Sequence, residues 1–157
     1  MPRSTRLACL IAPLLLAAPA LAQDAPPRLY AAKGDIAAAM AKAASAIKPG
    51  QPMAGEPLLV LGGYRATLEY RLAAAGAAVH DDQAELFQVV DGSGTLVTGG
   101  TLVKGPAGAS IEGGTARHVA TGDVFIVPEG TPHAFPQIDG HLALITIKLP
   151  RQAAPAK

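Results

Sequence analysis

Four histidines, His80, His118, His133 and His141, and the carboxylate of Glu85 are the residues of this 157-residue chain whose types could do chemistry. Imidazole and carboxylate ligate Fe(II), Mn(II), Ni(II) or Zn(II), and favour none of them alone. His80 sits beside Asp81 and Asp82 in a polar turn, Glu85 opens an apolar stretch that runs to Val90, and His133 follows a proline turn. Taken singly, these read as a surface turn, a solvated strand end and a loop. The segment Gly122–His133 says more. Gly122-Asp123 makes a tight turn into an apolar strand, and Pro128 and Gly130 end that strand. The turn directs His133 back, and Phe135, two residues on, shares its face. His118, in Arg117-His118-Val119, reads as an exposed strand end or as a replacement ligand. His141, after Asp139-Gly140, reads as exposed at a turn.

Two segments resemble the paired motifs of the cupin family. Gly122–His133 reads G-x5-P-x-G-x2-H, and Glu85 with Gly92 reads E-x6-G. His80, with four residues between it and Glu85, falls on the second histidine position of the first motif. Ala78 falls on the first, which departs from the pattern. A second alignment would put Val79 and Asp81 on the histidine positions. The resemblance spans residues 78–133, with a matching strand pattern over 58–149. It implies a small all-β, jelly-roll barrel with one short N-terminal helix. It also implies a metal site of His80, Glu85 and His133 facing one cavity, with coordination positions left open. Such a site could polarise a carbonyl, stabilise an enolate or activate bound water. Ala78, Phe87, Val89 and Phe135 would line the cavity, since they share the ligands' faces. A missing ligand at Ala78 implies a more open site, a ligand from elsewhere, or a lost metal. Fold does not fix function. An exported cupin acting on a small organic molecule through one divalent metal stands beside a metal-free binding or structural module. If it is an enzyme, the class is isomerase, lyase or decarboxylase, or dioxygenase.

The elements that must position these groups are short. Asp35 reads as an N-cap, Ile36, Met40, Ala43 and Ile47 recur at helical spacing, and Pro49-Gly50 stops the run, so a helix is predicted over 35–47. Residues 51–57, with two prolines, read as a loop. From Leu58 the pattern changes to strands. Tyr64, Ala66, Leu68 and Tyr70 face one way; Arg65, Thr67, Glu69 and Arg71 face the other. Arg71 could point into the barrel and bind a carboxylate substrate in a bidentate way, or lie on an outer solvated face. Gly92, Gly94 and Gly99-Gly100 are expected to break the following strands. About eight to ten short strands with glycine turns indicate a barrel or sandwich. The apolar strand from Leu142 to Ile147 could pair across a homodimer interface, or the helix could cover a sheet edge.

Arg3 and Arg6 precede an uncharged apolar run from Leu7 to Ala22 ending Ala20-Leu21-Ala22, the pattern of a cleaved secretory signal. The expected organisation is signal peptide 1–22, spacer and helix 23–57, barrel 58–150 and tail 151–157, in the periplasm or secreted. Cleavage would leave eleven basic against twelve acidic residues and remove Cys9, the one cysteine. Disulfides, thiolate metal sites and cysteine nucleophiles are then excluded. With no basic block and no glycine-rich loop leading into a helix, nucleic acid and nucleotides have no support. No stable membrane span is expected after processing, and the partner expected is a small molecule.

Overall fold

The computed structural model describes residues 26–106 and 108–151. The expected signal peptide and most of the tail lie outside them. The described residues form one helix, α1 (Lys33–Ala46), and eight strands: β1 (Met53–Leu61), β2 (Tyr64–Arg71), β3 (Gln83–Thr98), β4 (Thr101–Gly105), β5 (Gly108–Glu112), β6 (Thr115–Ala120), β7 (Val124–Val127) and β8 (His133–Pro150). The antiparallel order is β1-β2-β8-β3-β6, with β7 also on β3, and β4-β5 as a separate hairpin. The architecture is an all-β jelly roll.

Several boundaries differ from expectation, each for a local reason. The helix starts two residues earlier, with Ala32 as N-cap, because Asp35 acts from the third helical position. Its Oδ2 accepts a hydrogen bond from the Ala32 amide at 2.9 Å, satisfying a donor the helix end leaves free. Residues 53–57 are not loop but the start of β1. Pro57 is tolerated because β1 is an edge strand and its register slips between Pro57 and Leu59. Gly92 and Gly94 bend β3 instead of breaking it. The register of β3 on β8 shifts at Val89/Asp91, Gly92/Gly94 and Thr95/Val97. A Cβ at Gly92, where φ is +78°, would lie 2.1 Å from the His141 carbonyl oxygen, so only glycine allows this approach. Asp139-Gly140 likewise lies within β8, and His141 is half-buried, its Nε2 3.0 Å from Asp91 Oδ2.

These bulges let β3 and β8 run through both layers of the sandwich. β3 pairs β7 through residues 85–88 and β6 through 93–98. One apolar cluster fills the interior, with Phe87, Val89, Leu96, Val119, Phe135, Leu142 and Leu144. A second lies outside the sheet, where Ala43 of α1 packs on Leu58, Ala66 and Leu68. The helix therefore covers the β1–β2 face and not a sheet edge. The strand Leu142–Ile147 is hydrogen-bonded to β2 on one side and β3 on the other. It has no free edge with which to pair across a dimer.

Candidate metal centre

Strand register places the site. Along the inner face, Glu85 of β3 stands opposite Lys148 of β8 and Val127 of β7. One row deeper, Phe87 stands opposite Thr146 and Phe125. Glu85 is drawn inside because it alternates in phase with Phe87 and Val89, which are 2% and 1% exposed. It is itself 4% exposed.

His133 enters from the facing layer as the first residue of β8, held by a reciprocal pair of backbone hydrogen bonds with Ala78, each 2.9 Å. Ala78 is therefore its direct cross-strand neighbour, on the same face. The segment carrying Ala78 and His80 is not a strand but a single bridge. A second tie fixes it: the Gly130 amide donates to the His80 carbonyl at 2.7 Å. The proline turn thus positions both histidines, one through the chain and one through this bond.

The three side chains converge. His133 Nε2 is 3.0 Å and His80 Nε2 3.5 Å from Glu85 Oε2. One donor atom from each lies within 4.8 Å of the others. Ligand atoms about 2.1 Å from one ion lie about 3–3.5 Å apart, a separation that the two Glu85 contacts, at 3.0 and 3.5 Å, already have. The free ring nitrogen of His133 is 3.4 Å from the Thr131 carbonyl. Donation there from Nδ1 fixes the ring so that Nε2 is the nitrogen facing the carboxylate: its N–H donates to Glu85 in the metal-free chain, and it would ligate an ion on giving up that proton. His133 is buried, while the His80 side chain is 30% exposed, so the cluster meets solvent on the His80 side. Burial pushes the Glu85 carboxyl up, but the His133 hydrogen bond and the charges of His80, His133 and Lys148 outweigh it and hold it below its ordinary value.

The other expected residues separate into two groups. Phe87 and Phe135 pack against each other edge-on at 6.0 Å, and Phe87 meets the His133 ring at 6.1 Å. Both phenylalanines and Val89 are buried in the interior cluster, and Ala78 is half-buried beside His133. Arg71 lies on the inner face, opposite Leu142. Its guanidinium covers the Phe135 ring at 4.7 Å, and Nη2 pairs with Glu69 Oε2 at 2.6 Å. The Arg65–Arg71 alternation is thus the interior face of β2, not an outer one. His118 is exposed and pairs with Asp139 at 3.2 Å, away from the three-residue cluster. Lys148, 3.9 Å from Glu85 Oε1, was not singled out by sequence. The available signal was its alternation with Leu142, Leu144 and Thr146.

No family model matches the sequence, and no curated protein matches it. Solved structures match the fold. Protein TT1209 from Thermus thermophilus superposes with a TM-score of 0.52 at 18% identity, over 67% of this chain and 89% of that one. The cupin domain of Cnp3 from Schizosaccharomyces pombe gives 0.51 at 14%, over 68% and 66%. Fe(II) HppE in complex with substrate gives 0.52 at 17%, over 66% of this chain and 53% of that one. The likeness is one of fold, a jelly roll shared with these structures, one of them a cupin domain. Within that fold, the chain has a three-residue His-His-Glu group that could hold a metal.

Proposed function

We propose that this protein is an exported cupin that holds one divalent metal through His80, Glu85 and His133 and acts on a small organic molecule. The observation that carries the reading is a carboxylate 4% exposed and in contact with two imidazoles through one oxygen. When bound, a divalent ion there supplies Lewis acidity toward a substrate oxygen. The protein's part is to hold the ligands, through the Ala78 and Gly130 backbone bonds, and to exclude water with Phe87 and Phe135. The position opposite His133 carries only a methyl group, from Ala78, so one side of the centre is left without a protein ligand. Export rests on the N-terminal charge and apolar pattern.

The same methyl group favours a second reading, a metal-free module that binds its ligand in the barrel. Metal content separates the two. The processed chain, residues 23–157, purified without a chelating tag, is expected to carry near one equivalent of a divalent metal, lost in His133→Ala. Absence of metal after reconstitution with Fe(II), Mn(II), Ni(II) and Zn(II) would overturn the first reading in favour of the second.

A further inference from the structure

The inner face of β8 carries two polar groups that the ligand set does not use. Lys148 directs its ammonium toward the site, but at 3.9 Å from Glu85 Oε1 it is beyond hydrogen-bond distance. Its side chain is 43% exposed, so its three donors can reach an incoming molecule. Thr146, two residues earlier on the same face, is 2% exposed, and its hydroxyl has no partner among the described residues. An unpartnered buried hydroxyl is costly and rare, and here it lies in the row next to Glu85, opposite Phe87.

Charge counting gives these groups a meaning. Without an ion, Lys148 and Glu85 roughly balance. A divalent ion on two neutral imidazoles and one carboxylate keeps one positive charge, and Lys148 then adds a second with nothing to balance it. The carboxylates nearest in sequence do not supply the balance. Glu129 is taken by Arg151 at 2.8 Å, whose Nη2 also donates to the Asp81 carbonyl, and Asp81 and Asp82 are exposed and screened by water. Of the two arginines on the same face of β2, Arg71 is already met by Glu69 at 2.6 Å, and Arg65, opposite Lys148, is exposed and screened by water.

We propose that the substrate is a small carboxylate, and that Lys148 is the charge that recognises it beside the metal, above the Thr146 hydroxyl. This rests on the three-ligand reading. The test uses the chain loaded with Co(II), its metal content measured first, and follows the visible absorption of the ion during titration. The probes are glycolate and its neutral counterpart glycolamide. Glycolate is expected to bind more tightly than glycolamide. Lys148→Gln should weaken glycolate about tenfold or more, the scale of one charge-assisted hydrogen bond, and leave glycolamide and metal content unchanged. Lys148→Arg should recover most of the loss. Thr146→Val, which removes the orphan hydroxyl at constant shape, should weaken glycolate without lowering the unfolding midpoint. Unchanged glycolate affinity in Lys148→Gln, equal losses for both probes, or no glycolate binding to wild type would overturn the carboxylate assignment while leaving the metal reading standing. Failure to take up Co(II) would overturn both.

Discussion

Replacing Glu85 by Gln keeps the side chain's shape and removes its charge, so it separates what this residue does for the fold from what it does for an ion. In the metal-free chain the carboxylate has one contact of hydrogen-bond length, His133 at 3.0 Å, and two longer electrostatic ones, His80 at 3.5 Å and Lys148 at 3.9 Å. A hydrogen bond to a charged group contributes about 1.5–3 kcal/mol. Against it stands the desolvation of a carboxylate 4% exposed, which costs several kcal/mol in an interior and is largely offset by its partners. The depressed Glu85 carboxyl places the balance on the side of the charge. The expected net loss in Glu85→Gln is therefore small, roughly 1–2 kcal/mol at neutral pH.

The pH dependence fixes the sign. The folded carboxyl titrates below its ordinary value of 4.5, so the unfolded chain takes up the proton first. Stabilisation by the charge is in full above that ordinary value and is lost as pH falls through the lower folded one. Urea midpoints measured in chelator, wild type against Glu85→Gln, should differ at neutral pH and converge in acid. Metal affinity should behave otherwise. Loss of an outer-shell partner already costs about 10–100-fold, so loss of a ligand should exceed that. A stability gap that widens in acid would refute the electrostatic argument. Wild-type metal affinity in Glu85→Gln would refute the ligand assignment.

Three further outcomes follow from named positions. Ala78→His places an imidazole on the face of His133, across the reciprocal 2.9 Å backbone pair, and should tighten metal binding by about tenfold or more, read by competition with a chelator. Gly92→Ala forces a Cβ to within 2.1 Å of the His141 carbonyl at a φ of +78°, and should lower stability by at least about 2 kcal/mol in chemical unfolding. N-terminal sequencing of the protein recovered from the periplasm or medium should read Gln23 first; a chain that retains Leu7–Ala22 would overturn the processing expected from the sequence.

Glycine and proline signals were legible for the turn that presents His133, because Gly122, Pro128 and Gly130 act locally. The same signals misled where tertiary pairing decided the outcome. Gly92 and Asp139-Gly140 read as breaks, but the long strands β3 and β8 pair along much of their length, and each absorbs its irregular residues as bulges that bend the sheet. Pro57 reads as loop until β1 is known to be an edge strand. The inward direction of Arg71 had a different obstacle. Both faces of β2 are covered, one by α1 and one by the barrel interior, so apolar and polar alternation cannot tell inside from outside. Lys148 was hidden for the same reason. Its place beside Glu85 depends on the register of β8 against β3, which no local pattern specifies.

Ala78 pulls the reading of this site in two directions, and Glu85 decides between them. A methyl group opposite His133 fits both a centre with an open coordination position and a barrel that no longer holds an ion. The second case leaves a carboxylate 4% exposed against two imidazoles, an arrangement that packing does not require. Apolar residues of similar volume commonly match or exceed the stability of a buried ion pair, and the row beneath is already aromatic, with Phe87 and Phe125 stacked at 5.0 Å. The interior could thus have continued apolar to its mouth. It turns instead to three donors whose atoms lie within 4.8 Å of one another, with Thr131 orienting one ring from behind. That orientation matters to a ligand more than to a core histidine, and it favours the open-centre reading of Ala78.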